Sequence, residues 1–338
     1  MSAALPPVFA GLSPHDTREA TDALRWIDVA PGEAIFLEGE MDTTLAFLVT
    51  GAAEVRRGPM RISTAGPRDL LGEIEVFARL PRQTTAVATS AVGLYALTPE
   101  ALAFLCGVGN PVVFAIERAV HRRLADRTRL AQSTIGEHLE GSAASLRPPQ
   151  PSWWQHWLKA PPDRLPPAID RHVALASARS YSWIEPALLQ LMAAGADVVQ
   201  FGPEETMLAQ GIEADRIFVL VSGRAECWLW KDGGRAITLA SYEAGEAFGD
   251  ASIVAAGPST VSVVSRTEVV AVTFDRRTFL HYFESNDPVG SAFRQASIRS
   301  LVLQHLGLTD QLAAALTRSR TASPAFAATP PPGGLWRD

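Results

Sequence analysis

A mainly β protein with flanking helices, built as two tandem domains on one plan, is the fold class this sequence predicts. Three observations carry that expectation. The first is internal repetition. Ile217-Phe218-Val219-Leu220-Val221-Ser222-Gly223 repeats the pattern of Leu45 to Gly51, and Gln210-Gly211 that of Glu38-Gly39. Gly257-Pro258-Ser259-Thr260-Val261-Ser262-Val263 repeats that of Leu80 to Ala86. A repeat in matching order decides architecture before any single element does. The second is the succession of short apolar runs and Gly, Pro or Asp turns, from Ile27 to Leu97 and from about Val198 to Phe274. The third is size: 338 residues, 47% of them hydrophobic, suit two buried cores.

Taken in chain order, Ser13 is placed to cap a helix, with Pro14 at its first position and Asp16 in its first turn. That helix is expected to end near Trp26, and strands follow to Leu97. Helical spacing returns at Pro99–Leu105 and from Val112 to about Leu139. There Phe114, Ile116, Val120, Leu124, Leu130 and Ile135 form an apolar stripe. From Gly141 to about Arg171, Pro148, Pro149, Pro151, Pro161, Pro162, Pro166 and Pro167 exclude long helices. Trp153, Trp154 and Trp157 stand in this linker. They are expected to bury against the rest of the chain, with an exposed interaction patch as the alternative. The second domain, beginning near Val173, should open with a helix Ile184–Ala194 and continue as strands to Phe274. Asp275 then caps a helix Arg276–Phe283, and helices follow over about 288–306 and 309–317. The tail from Ser319, rich in Ala, Pro, Gly and Thr, reads as disordered. The resulting boundaries are 1–140, a linker 141–172, 173–318, and a tail 319–338.

Composition narrows the function. Charged residues make up 20% of the chain and the net charge is -6, a poor balance for a general nucleic-acid binder. Neither a signal peptide nor a membrane span is legible, and Cys106 and Cys227 read as buried thiols of a reducing cytosol, so a cytoplasmic location is expected. The chain has no Gly-x-Ser-x-Gly elbow and no phosphate-binding Walker loop. Its seven histidines are scattered, with no His-x-His cluster. The expectation is therefore a non-enzyme without catalytic residues, metal or cofactor.

One stretch carries chemistry: Gly72-Glu73-Ile74-Glu75-Val76, followed by Pro81-Arg82-Gln83-Thr84-Thr85-Ala86-Val87. A carboxylate accepts from hydroxyl groups, and an arginine offers a planar fork that matches a phosphate. Backbone N–H groups at a turn into a short helix cradle the same anion. Those residue types in that order suit a small ligand bearing a sugar hydroxyl and a phosphate.

The stretch resembles the phosphate-binding cassette of cyclic-nucleotide-binding domains, which reads Gly-Glu-(aliphatic)-(small)-Leu…Pro-Arg-x-Ala-Thr-Val. Ala30-Pro31-Gly32-Glu33 through Gly39-Glu40 resembles the family's early hairpin, and Leu45 to Gly51 its next strand. Val8-Phe9-Ala10-Gly11-Leu12-Ser13-Pro14 resembles the bacterial catabolite-activator branch. The resemblance implies two tandem β-rolls (double-stranded β-helices) of about eight antiparallel strands each, joined by a helix and a Pro-rich linker. It implies a cyclic mononucleotide as ligand, cAMP above cGMP because Gln83 lacks a hydroxyl after the phosphate arginine. Arg82 would clamp the phosphate and Glu73 accept from the ribose. Gly72, Ile74, Gln83, Thr84 and Thr85 would complete the nest, and Arg127 and Thr128 would reach the base from the long helix.

This sequence departs from the family at Glu75, where a small residue is usual and a carboxylate repels an anion, and at Thr84, where alanine is usual. In the second copy, Gly249 is kept. Asp250 replaces the ribose-binding glutamate, Ser259 replaces the phosphate-binding arginine, and Thr260 follows it. Without that cation the second site is expected to be degenerate. Two readings stay open. One is a regulatory sensor signalling through helix and linker movement to an unknown protein partner or a homodimer, without DNA. The other is a ligand-free scaffold or interaction protein.

Overall fold

The computed structural model describes residues 5–41, 44–138, 167–231 and 235–322. The linker expectations, including those for Trp153, Trp154 and Trp157, lie outside these residues. The first half contains β1 Arg25–Val29, β2 Ala34–Phe36, β3 Leu45–Thr50, β4 Ala53–Arg57, β5 Met60–Ala65, β6 Leu70–Leu71, β7 Thr85–Ala88 and β8 Val92–Leu97. The second contains β9 Asp197–Phe201, β10 Thr206–Leu208, β11 Arg216–Ser222, β12 Arg224–Lys231, β13 Arg235–Glu243, β14 Ala247–Phe248, β15 Ser262–Ser265 and β16 Val269–Asp275. The helices are α1 Pro14–Asp22, α2 Glu73–Ala78, α3 Pro99–Gly107, α4 Val112–His138, α5 Arg171–Ser177, α6 Pro186–Ala194, α7 Asp250–Val254, α8 Arg276–Glu284 and α9 Pro288–Ala322.

The two halves share one topology. The first forms sheets ordered β1-β8-β3-β6 and β2-β7-β4-β5. The second forms β9-β16-β11-β14 and β10-β15-β12-β13, the same orders shifted by eight strands. Every pairing is antiparallel, with Phe47 opposite Tyr95 in the first half and Phe218 opposite Thr273 in the second. The two-roll expectation therefore holds. A matched glycine shows why the repeat is visible in sequence. Gly51 and Gly223 both turn with positive φ, at 79° and 86°. A Cβ added at either would fall 2.1 Å from a backbone oxygen, Ala91 O or Glu268 O. Both hairpins need a residue without a side chain.

Local signals set several element ends. Ser13 accepts the Asp16 N–H at 3.1 Å, and Asp275 accepts the Thr278 N–H at 2.7 Å, both as N-caps. Other ends differ from expectation. α1 stops at Asp22, and Trp26 sits in β1, packed edge-on against Tyr95. α9 runs unbroken to Ala322, through the break expected near Thr309 and past Ser319. Gly307 has open space where a Cβ would be, so nothing there forces a stop. Helix α5 overlaps the expected linker only at Arg171 and His172, and it precedes the helix expected to open the second domain. Cys106 is exposed, because it follows the buried Leu105 on α3 and so points about 100° away from it; Cys227 is buried as expected.

The long helices join the halves. On α4, Val112, Ile116, Val120, Leu124 and Ile135 are almost fully buried, whereas Leu130 is 66% exposed. Leu130 lies six residues beyond Leu124, on another face of the helix. Ile298, Leu301 and Val302 of α9 pack into the cluster of the first half, and Ala131 and Ile135 of α4 pack into that of the second. α4 also packs on α7, and α9 on α2. Each half thus lends its long helix to the short helix of the other. No helix among the described residues is long and apolar enough to cross a membrane.

Candidate functional site

Strand β6 ends at Leu71, and the next residue, Gly72, N-caps α2 with φ 88° and ψ 5°. A Cβ there would lie 2.3 Å from Arg82 Nη1 and 2.6 Å from Thr44 O. The glycine makes room for the arginine. Arg82 is fixed from its own backbone, whose N–H donates to Glu40 O at 2.7 Å and whose carbonyl accepts from Gly39 N–H at 2.8 Å. Its side chain is almost fully buried. It lies 4.2 Å over the Phe36 ring and donates through Nη2 to Thr44 O at 2.7 Å. Nη1 stands 3.5 Å from Glu75 Oε2.

Glu75 has partners that its charge alone did not reveal. Its buried carboxylate accepts the Gln83 N–H at 2.9 Å and faces the Arg82 guanidinium. It takes bonds that an incoming anion would also seek. Burial pushes its carboxyl above the usual carboxylate range, while the Gln83 N–H and Arg82 pull it back. Glu73 is equally buried. Arg127 Nη1 of α4 donates to it at 2.5 Å, and Arg123 Nε stands 3.7 Å away while its Nη1 holds Asp69 at 3.0 Å. Arg123 and Arg127 also line a cleft of about 470 Å³ with Arg68, Phe47 and Leu70. His305 of α9 is pushed down to about 4 by burial and by Arg127, so it is neutral near pH 7.

Of the residues expected in the first site, Gly72, Glu73, Arg82, Gln83 and Arg127 come together. Ile74 packs against the cluster between α4 and α9. Thr84 is half-buried at the turn, and Thr85 Oγ1 is spent on the Glu38 N–H at 3.0 Å. Thr128 is fully buried inside the helix joint, and its hydroxyl makes no hydrogen bond among the described residues. Phe36, Thr44, Arg123 and His305 were not foreseen. Arg123 was the one within reach of sequence reasoning, since it lies one helical turn before Arg127 on the predicted α4.

The second cassette is closed from within. Asp250 is 2% exposed; it accepts from Ser297 Oγ of α9 at 2.9 Å and from the Ala251 N–H at 3.0 Å. Burial pushes its carboxyl up to about 6, against the hydrogen bond from Ser297. Ser297 Oγ also meets His121 Nε2 of α4 at 2.9 Å. Because the serine hydroxyl donates to Asp250, the histidine nitrogen supplies the proton of the second contact. His121 is held neutral, pushed down to about 3 by burial and then by Arg294. Ser259 Oγ turns back to Val261 O at 2.8 Å, and Thr260 Oγ1 donates to Gln132 Oε1 of α4 at 2.5 Å. Nearby, Arg294 of α9 pairs with Glu117 of α4 at 2.9 Å, both fully buried, and Ser291 and Gln295 donate to the same carboxylate. No group of metal-ligating side chains was found among the described residues.

Comparison with known proteins agrees with this plan. A family model for the cyclic nucleotide-binding domain matches residues 26–107 and 198–286, one match in each half. A CRP-like cAMP-activated global transcriptional regulator of Mycobacterium tuberculosis is 26% identical over 136 residues, 40% of this chain and 61% of that protein. A cAMP-dependent protein kinase regulatory subunit of Hypocrea atroviridis is 29% identical over 101 residues, 30% of this chain and 22% of that one. The chain thus spans less than two thirds of the length of the curated relatives it matches. Among solved structures, the regulatory domain of Toxoplasma gondii PKA with cAMP aligns over 82% of this chain and 88% of that one, at 15% identity and a TM-score of 0.32.

Proposed function

Because the chain belongs to the cyclic nucleotide-binding domain family, in both of its halves, we propose that it is a non-catalytic regulatory protein whose first domain is a receptor for a cyclic mononucleotide, cAMP before cGMP. The observation that supports this reading is the asymmetry of the two cassettes. The first holds a buried guanidinium, Arg82, beside the Gln83 N–H. At the corresponding place the second holds Ser259, already bonded to Val261. A cyclic phosphate needs that cation, since charge-assisted contacts are the strong ones.

Ribose and phosphate would fall to Glu73 and Arg82, and Gly72, Ile74, Gln83 and Thr84 would frame them. Glu73 is held by Arg127 and Arg123 of α4, so a ribose hydroxyl arriving at Glu73 competes with the helix. That competition couples the pocket to α4, and α4 to the second domain. A ligand shifts this coupling only by its differential affinity for the two arrangements. The output is a protein contact, to a partner or a second copy, rather than DNA, and the setting is the cytoplasm. A ligand-free interaction protein is the second reading; it is favoured by the Glu75 carboxylate beside Arg82.

Calorimetry of the full chain with cAMP and cGMP tests the receptor reading. One site per chain is expected, weakened by about 2–5 kcal/mol in Arg82→Ala. Absence of heat with either nucleotide, or two equivalent sites, would contradict it.

A further inference from the structure

The carboxylate of Glu75 stands where an incoming anion would be received. The guanidinium of Arg82 has one edge on Thr44 O and one face on the Phe36 ring. Its Nη1 faces Glu75 at 3.5 Å, and the Gln83 N–H that belongs to the same nest already donates to Glu75 at 2.9 Å. Both side chains are nearly excluded from water, 1% and 4% exposed. Two full negative charges cannot share one buried guanidinium unless one is neutralised or leaves.

The second half supplies an internal control. Counting from its cassette glycine, Gly249, the counterpart of Glu75 is Ser252, and the counterpart of Arg82 is Ser259; both serines are buried. Cation and carboxylate are present together in one copy and absent together in the other. That is the pattern of a charge pair that balances itself. It does not fit an arginine kept only for a ligand beside an unrelated surface carboxylate.

We propose that Glu75 is a resident anion of the first cassette, a built-in surrogate for the ligand phosphate that a cyclic nucleotide must displace. This rests on the receptor reading of that domain and sets its regulation: the pocket is occupied by its own chain at rest, and the threshold for nucleotide is set by the Glu75–Arg82 pair. The device lies within a helix of only six residues, α2, whose last turn ends at Arg79 in a left-handed conformation with φ 55°. α9 packs on that short helix, so expulsion of Glu75 is felt at the joint between the halves.

The test uses the full chain as wild type, Glu75→Ala and Glu75→Gln. Glutamine keeps the shape and can keep the Gln83 bond, but carries no charge, so it decides the matter if the alanine variant fails to fold. Affinity for cAMP is measured by calorimetry, and the thermal midpoint is measured with and without inorganic phosphate. The expected result is cAMP binding at least tenfold tighter in the variants than in wild type. A midpoint raised by phosphate in Glu75→Gln but not in wild type is expected alongside it. Equal or weaker cAMP binding in the variants overturns the resident anion and leaves the receptor reading standing. If no form binds cAMP but phosphate still raises only the variant midpoint, the resident anion stands and the receptor reading falls. If no form responds to cAMP or phosphate, both are overturned.

Discussion

The two cassettes begin from the same turn and end in opposite electrostatic states. In the first, the glycine-capped helix carries one carboxylate, Glu75, that faces Arg82, and a second, Glu73, held by Arg123 and Arg127 of α4. In the second, the corresponding shell is nearly neutral. Two serines replace the pair, and the single acid, Asp250, is enclosed by Ser297 and its own backbone. The first cassette keeps a buried cation and two carboxylates. The second has exchanged them for hydrogen bonds that have no reason to break. Fold and site chemistry are therefore separable here: identical strand orders carry one charged cassette and one nearly neutral cassette packed from within.

The largest expected effect breaks the joint that seals the second cassette. Glu117→Ala leaves Arg294 buried without its carboxylate, which should cost about 3–5 kcal/mol in urea unfolding. A loss under about 1 kcal/mol would mean that the carbonyls of Tyr282, Phe283 and Ser285 satisfy the Arg294 guanidinium by themselves.

The next effect sharpens the comparison at its two glycines. Alanine at either Gly72 or Gly249 pays for a left-handed backbone, about 1–2 kcal/mol. At Gly72 the new methyl also meets Arg82 at 2.3 Å and Thr44 O at 2.6 Å, whereas at Gly249 its nearest neighbour is Arg216 O at 3.0 Å. Gly72→Ala is expected to be the costlier by at least about 1 kcal/mol, measured by denaturant midpoint at constant m. Equal costs would show that Arg82 moves aside freely.

The last effect is a slope. Asp250 is raised from 3.8 to about 6, so its contribution is present at low pH and is lost as pH rises through about 6. His121 is lowered from 6.5 to about 3, so its contribution is present above pH 6.5 and is lost as pH falls toward 3. Between pH 4 and 6 the two oppose each other. Asp250→Asn should therefore make stability fall more steeply on acidification than in wild type, by about 1.4 kcal/mol per pH unit. His121→Gln should tilt the difference the other way. Parallel wild-type and Asp250→Asn curves would refute the assignment.

Much of this was legible in residues whose demands are local. The glycines of the hairpins, the Ser13 and Asp275 caps and the repeated strand patterns each answer a constraint satisfied within a few positions, so sequence order reveals them. The Glu73, Arg82 and Arg127 candidates were legible as residue types. What could not be read was direction. Glu75 looked hostile to an anion, because charge is visible in sequence while the path of a side chain back to Arg82 and Gln83 is not. Leu130 belongs to the apolar stripe by residue type, yet it sits on another face of α4. The exchange of helices between the halves depends on contacts such as Glu117–Arg294, made by residues 177 positions apart. No periodicity within one segment reports such a pairing.

The crossing of α4 and α9 has one more consequence. When two copies of a single sequence meet about a twofold axis, every substitution is made twice, and neither surface can change without the other. Here the two partners are covalently one chain, each laying its long helix across the other's short one. The tether makes their meeting independent of concentration. It also frees each half from having to resemble its mate. One copy can lose its charges and become a brace, while the other keeps them, without any cost in assembly.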